Sequence, residues 1–475
     1  MVETKSDLFQ GMHTAFKELQ NNTQNMATTT AKERMELLNN FLRVFELKKE
    51  EIEAAVYRDY KRSVLETELS EFWLVKKELN FAIRHLEDWV RPKRVPTPLV
   101  FFGSSSFIHY EAKGTVLIIS PWNFPFNLTF SPLISAIAAG NTVMIKPSEF
   151  TSHSSHLIKQ IVEEAFPENI VTVCEGGADV SKELLTFPFN HIFFTGSTRV
   201  GKLVMKAAAE NLTSVTLELG GKTPVIIDET ADLKMAAQKT VYAKFLNNGQ
   251  VCLASDYVFV QENVAAEFKM HLLNELEKMY PEENLLLNKD YARLVNDQQL
   301  TKVSELIEDA IEKGGKLLKS RQIEEDNRFI APTLIENISS DMRIAQEEIF
   351  GPILPIKSYT NLEQVIDHIH QGSKPLAVYL FSKNKKNVNH VLANVSAGAT
   401  LVNEVYIHHY NSYLPFGGVN HSGIGKSHGH FGFLEFTNQK AVVKQWLPFS
   451  ATKLIQPPYS ASKKRLAKLI VKFFS

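Results

Sequence analysis

Ile192-Phe193-Phe194-Thr195-Gly196-Ser197-Thr198-Arg199-Val200-Gly201 is the stretch that decides the fold class. Three consecutive apolar residues run into a glycine-containing turn, and the turn runs into a helical pattern over 202–209. A short apolar run followed at once by a helix is the unit of a parallel sheet covered on both faces. Glycines at such a strand-to-helix turn let backbone N–H groups approach a phosphate at the positive helix end. The turn lacks the GxGxxG pattern, so on spacing alone an ordinary turn and a phosphate cradle stand level.

Outward from this stretch the same unit repeats. Apolar runs at 115–119, 142–145 and 171–173 precede it, separated by helical stretches. A second series follows Gly220-Gly221, with runs at 225–227, 257–260, 376–381 and 400–403. Two such series predict an α/β protein of two Rossmann-like open sheets, with the active site between them beyond the carboxyl ends of the strands. Residues 1–90 read as helices: Leu8, Met12, Phe16 and Leu19 share a face, and Thr30 with Glu33 forms a capping box. A third helical stretch runs through Leu69, Phe72 and Leu79 to Trp89. Three prolines between Pro92 and Pro98 then break the pattern, and the β-prone Phe107-Ile108-His109-Tyr110-Glu111 reads as an arm outside the central sheets.

Composition narrows the function. At 475 residues the chain exceeds one core, and its formal net charge of -1 gives no footprint for nucleic acid. Two cysteines, Cys174 and Cys252, exclude a disulfide scaffold and fit a reducing compartment. The amino terminus carries no apolar secretory segment, and no run of apolar residues reaches the length of a membrane span. A cytoplasmic location is the expectation.

Two stretches carry chemistry. Asn247-Asn248-Gly249-Gln250-Val251-Cys252 puts a thiol after a polar turn, and Leu217-Glu218-Leu219-Gly220-Gly221-Lys222 puts a carboxylate beside glycines. A thiolate can form a covalent intermediate that a carboxylate-activated water then hydrolyses. Taken alone, Cys252 would read as a small core residue. A third stretch, Lys146-Pro147-Ser148-Glu149, follows a strand, where a lysine and an acid can both bind ribose hydroxyls.

Together with Pro121-Trp122-Asn123-Phe124-Pro125, Glu347-Glu348-Ile349-Phe350-Gly351-Pro352 and Pro415-Phe416-Gly417-Gly418, these stretches resemble the aldehyde dehydrogenase superfamily in order and spacing from about residue 30 to 447. The run from Asn411 to Val419 is most similar to class 3, the branch with the fatty and aromatic aldehyde dehydrogenases. The resemblance implies oxidation of an aldehyde to the acid through a thiohemiacetal and a thioester. It makes Cys252 the nucleophile, Asn123 with the Cys252 N–H the oxyanion donors, and Glu218 the base for water. It further implies cofactor contacts by Trp122, Lys146, Glu149, Gly196, Ser197, Gly201, Leu219, Glu348 and Phe350. NAD is the expected cofactor, since Glu149 suits a free 2′-hydroxyl, while Arg199 beside the phosphate turn keeps NADP open. A CoA-acylating relative, or a silent protein on the same fold, is the alternative; retention of Glu218 with Cys252 and Asn123 speaks against both.

The resemblance also implies a homodimer and a partition of the chain. Residues 1–98 and 113–217 form the cofactor domain, 218–403 the catalytic domain, and 99–112 with 404–447 a bridging β element. The tail, 448–475, carries Leu466, Leu469, Ile470, Phe473 and Phe474 on one face and lysines on the others, a basic amphipathic helix. Docking on protein is the preferred reading of that helix, membrane contact the other. His408, His409, His421, His428 and His430 cluster around 404–430 without the spacing of a zinc site, so no metal is expected, and the aromatic residues there read as a substrate mouth.

Overall fold

Apolar runs without polar alternation must be covered on both faces, and they build the two sheets. The computed structural model describes residues 5–283, 285–319, 322–448, 451–454 and 456–474. Among the described residues the first sheet has six strands, in the order Gly423–Ile424, Ser214–Leu219, His191–Gly196, Thr115–Ile119, Thr142–Lys146, Val171–Val173. All pairs are parallel except Gly423–Ile424, which runs antiparallel to Ser214–Leu219. From the central Thr115–Ile119 the chain winds to one side, and from His191 it winds to the other. Thr115–Ile119 and His191–Gly196 therefore flank a switch point, where the outgoing loops diverge and open a crevice.

The second sheet has seven strands among the described residues: Lys316–Lys319, Thr333–Glu336, Ile353–Tyr359, Ser255–Gln261, Thr223–Ile227, Ala377–Phe381, Ala399–Val402. The sequence reading lacks Lys316–Lys319, Thr333–Glu336 and Ile353–Tyr359, the last of which carries Pro355, a residue without the N–H a strand interior uses. The strand pairs with Thr333–Glu336 up to Pro355 and with Ser255–Gln261 from Ile356 onward. The missing N–H thus falls where the strand changes partner. The expected α/β architecture of two open sheets with a β arm is the observed one.

The arm is a ribbon. Ser104–Ala112 pairs with Lys93–Val95 on one edge and along its whole length with Thr437–Gln445 on the other. The Thr30–Glu33 capping box opens Ala31–Leu47. The third helical stretch is interrupted: a π-helical turn, Glu68–Phe72, precedes Trp73–Trp89. Such turns recur at functional sites, and Ser70 within this one lines the cavity that contains Cys252. At the other end Ala461–Phe474 forms the expected basic helix, with Leu469 and Val471 exposed. The side chains of Phe473 and Phe474 lie outside the described ones.

Candidate active site

The loop before Cys252 reverses the chain tightly, with Asn247, Asn248 and Gly249 all at positive φ (49°, 56° and 74°). Asparagine and glycine are the residues that tolerate this conformation, which explains the Asn-Asn-Gly run. A side chain on Gly249 would collide with the Gly351 carbonyl. Fully buried Gln250 staples the loop: its Nε2 donates to the carbonyls of Asn247 (3.1 Å) and Arg293 (3.0 Å), and its Oε1 accepts from the Val295 N–H (3.0 Å). Asn248 is held likewise, donating to the Ala292 carbonyl at 2.8 Å and accepting from the Tyr291 hydroxyl at 3.1 Å. Cys252 emerges from this frame, half-buried, into a cavity of about 280 Å³. Burial, then the Glu348 and Glu218 carboxylates, push its thiol up to about 12, while the N–H groups of Cys252 and Leu253 pull it down.

Asn123 faces the same cavity and is 4% exposed. Its Nδ2 donates to the Gln250 carbonyl at 3.0 Å, which fixes the amide against the cysteine loop and leaves its second hydrogen for another acceptor. Its own carbonyl accepts from the Tyr60 hydroxyl (3.0 Å), Arg62 Nη1 (3.0 Å) and Asn247 Nδ2 (3.1 Å). Arg62 is wholly buried and paired with Glu71, which also accepts from the Asn127 N–H at 2.7 Å. Tyr60, Arg62 and Glu71 thus hold Asn123 from behind. Nothing in the local pattern of residues 60–71 distinguishes this from a solvated helix end, and sequence reasoning missed it.

Glu218 lies on Ser214–Leu219, 6% exposed, opposite Gly423 in the register. The Ser427 hydroxyl is the hydrogen-bonding group beside its carboxylate, whose oxygens are otherwise unpartnered. Burial raises its pKa to about 8, against the opposing pull of the nearby Ser427 hydroxyl and Lys426 ammonium. A carboxylate with that pKa is a competent general base near neutral pH.

On the cofactor side, Trp122, Gly196, Ser197, Leu219, Glu348 and Phe350 line the cavity with Cys252. Trp122 meets Phe350 edge-on at 5.3 Å, and the Glu348 carboxylate lies against Gly220, its pKa raised to about 7 by burial and by Asp256. Ser197 caps Thr198–Ala209, its Oγ accepting from the Val200 N–H. Gly201 stands apart from the cavity: a Cβ there would lie 2.7 Å from Leu219 Cδ2, so it lets the helix close on the strand. Lys146 and Glu149 form an ion pair of 2.6 Å at the end of Thr142–Lys146, away from the cysteine cavity. Lys222 pairs with Asp256 and donates to the Ile344 (3.0 Å) and Glu347 (2.7 Å) carbonyls, holding the turn that carries Glu348. A capped helix start and glycine turn at the switch point, with a separate Lys–Glu pair at a neighbouring strand end, fit the pyrophosphate and ribose of a dinucleotide. Among the described residues no group of three or more His, Cys, Asp and Glu side chains could hold a metal ion.

Residues 9–442 match the model of the aldehyde dehydrogenase family. The chain belongs to the aldehyde dehydrogenase family. The 4,4'-diaponeurosporen-aldehyde dehydrogenase of Staphylococcus aureus is 40% identical over 448 residues, covering 94% of this chain and 95% of that one. Aldehyde dehydrogenase family 3 member H1 of Arabidopsis thaliana is 40% identical over 422 residues, with 89% and 87% covered. The solved structure of the substrate-bound state of Staphylococcus aureus AldH superposes with a TM-score of 0.93 at 38% identity, covering 97% of this chain and 99% of that one. This aldehyde dehydrogenase oxidises an aldehyde to the carboxylic acid and is NAD(P)-dependent. The class 3 resemblance drawn from the sequence agrees with the family 3 relative.

Proposed function

We propose that Cys252 is the nucleophile, Asn123 with the Cys252 N–H the oxyanion donors, and Glu218 the base of this aldehyde dehydrogenase. The supporting observation is that Cys252, Glu218 and Asn123 line one cavity with Glu348 and Phe350. The Cys252 thiolate adds to the aldehyde carbon, and the free Asn123 amide hydrogen and the Cys252 N–H take the new oxyanion. A nicotinamide held by Glu348 and Phe350 would supply the hydride acceptor, so that the thiohemiacetal on Cys252 is oxidised to a thioester. Glu218 removes a proton from water, the hydroxide displaces the thiolate, and the acid leaves. Asn123→Ala is expected to lower kcat/KM by roughly 100- to 1000-fold, the typical effect of losing one oxyanion donor. Steady-state kinetics beside an unchanged melting temperature would check it.

The proposed substrates are medium- or long-chain aliphatic or aromatic aldehydes, supported by the aromatic cavity wall and the names of the relatives. NAD is the preferred cofactor in this reading, because Glu149 beside Lys146 suits a 2′-hydroxyl and repels a 2′-phosphate. Glu149→Gln is expected to shift the kcat/KM ratio of the two cofactors toward NADP by about tenfold, an effect of about 1.4 kcal/mol. We read 1–98 with 113–217 as the cofactor domain, 218–403 as the catalytic domain, and 99–112 with 404–447 as a bridge that pairs in a homodimer. Exposed Phe102, Val443 and Trp446 on the ribbon support the last point. The cytoplasm is the proposed compartment. No described helix is long and apolar enough to cross a membrane.

The function is tested by reduced-cofactor absorbance with aldehydes from acetaldehyde to long-chain and aromatic members, with NAD and NADP in parallel. Turnover without CoA is the expected result. Turnover only when CoA is added would replace hydrolysis by acyl transfer to a thiol.

A further inference from the structure

Phe416 gathers three histidine rings around it. His409 packs edge-on against it at 4.6 Å, His428 lies nearly parallel at 5.7 Å, and His408 is tilted at 5.7 Å. His409 and His428 meet each other edge-on at 5.5 Å. Both line the cavity that contains Cys252. His428 is 7% exposed, yet neither of its ring nitrogens has a hydrogen-bond partner, and the buried Nδ1 of His409 has none either.

Buried polar atoms are nearly always satisfied, because stripping water from an unpaired one costs on the order of 1–3 kcal/mol. Nothing in the packing compensates here. The Lys77 ammonium beside the cluster is committed to the Tyr410 carbonyl and the Ser412 hydroxyl, and Glu78 accepts from the Gly429 N–H at 2.6 Å. Leu74, Leu128, Tyr406 and Phe416 are among the apolar residues of the same wall, which also carries polar groups such as Asn123, Asn127 and Glu218. Two rings with unpartnered nitrogens on the wall of the substrate cavity are placed to bind something that enters it.

The charge state narrows the ligand. Burial lowers the His428 pKa to about 3 and that of His409 well below the usual imidazole range, and Lys77 and the neighbouring histidines act in the same direction. Neutral imidazole offers one donor and one acceptor and no positive charge. The two neutral rings bring no charge of their own to a carboxylate tail, and an alkyl tail would leave their nitrogens unpaired. A hydroxyl, which donates and accepts, satisfies both kinds of atom.

We propose that His409 and His428 form a hydrogen-bonding subsite selecting aldehydes that carry an alcohol or phenol hydroxyl remote from the carbonyl. The subsite rests on the reading of the Cys252 cavity as the aldehyde site. Both residues bind; neither takes part in the chemistry.

The test is steady-state kinetics of the full chain on two matched pairs, 4-hydroxycinnamaldehyde with cinnamaldehyde and an ω-hydroxyalkanal with the alkanal of equal length. In at least one pair the wild type is expected to show a KM for the hydroxylated member up to about tenfold lower, the effect of one or two net hydrogen bonds. His409→Leu should bring that KM ratio to about one, and His409→Gln should restore part of it; His428→Gln gives an independent reading. A wild-type ratio of one in both pairs overturns the subsite, as does a ratio unchanged in His409→Leu. Absence of turnover on the unsubstituted aldehydes would instead remove the Cys252 reading, and the subsite would fall with it.

Discussion

Cys252→Ala is expected to lower aldehyde oxidation by roughly ten-thousand-fold or more, because loss of a nucleophile removes the covalent route altogether. The substitution takes one sulfur from a half-buried position at the mouth of a stapled loop, and the staples are side chains of Asn248 and Gln250 that do not touch the thiol. The melting temperature should stay close to that of the wild type, so the loss can be assigned to chemistry. Reduced-cofactor absorbance with a saturating aldehyde is the direct readout. Residual turnover above a few per cent would move the covalent step to another group. The free enzyme should also show a thiol of low reactivity, since burial and two carboxylates hold its pKa at about 12. Alkylation of Cys252 by iodoacetamide is therefore expected to quicken about tenfold per pH unit across the neutral range, as the thiolate fraction grows.

The second large effect belongs to Glu218. Glu218→Gln is expected to lower steady-state turnover by roughly 100- to 10,000-fold while leaving a first-turnover burst of reduced cofactor, because water activation follows hydride loss. The sign of the pH dependence follows from the raised pKa. A base works when deprotonated, and the Glu218 carboxyl is held neutral up to about 8 by burial. Deacylation should therefore rise with pH through about 8 in the wild type, and that limb should vanish in Glu218→Gln. Above about pH 8, where the Glu218 carboxylate is charged, the variant also removes a negative charge that opposes ionisation of Cys252, so its burst should be faster there than that of the wild type. A variant with neither burst nor altered pH profile would separate Glu218 from the hydrolytic step. Rapid-quench or stopped-flow absorbance resolves both phases.

Four strands of the first sheet were legible because their runs are largely apolar, whereas Ser214–Leu219, with polar residues at alternate positions, and the two-residue Gly423–Ile424 were not. Ile353–Tyr359 was not, since Pro355 argues locally against a strand and only the handover between two partners makes room for it. The same contrast holds at the site. The Asn-Asn-Gly run before Cys252 reads as a polar turn, and the structure has a tight one there, its three residues at positive φ. The Arg62–Glu71 pair that backs Asn123 is invisible in the sequence, because a buried ion pair and an exposed one use the same letters. The broken helix at Glu68–Phe72 is equally silent, as its residues fit an α-helix as well as a π-turn. Gly201 shows the opposite case: its place in a glycine turn suggests ligand contact, whereas its own neighbour is the Leu219 side chain.

The strand that carries Glu218 gains its outer neighbour from Gly423–Ile424, more than two hundred residues later in the chain, and the cavity wall at Phe416, Ser427 and His428 comes from the same late segment. During synthesis the thiol of Cys252 and the carboxylate of Glu218 leave the ribosome long before this closing piece exists. Early domains generally fold as they emerge, whereas contacts of such long sequence separation must wait. A nascent or prematurely ended chain would thus hold a nucleophile and a base without the pocket that disciplines them. Catalytic competence in this fold therefore waits on a segment made long after the reacting groups themselves.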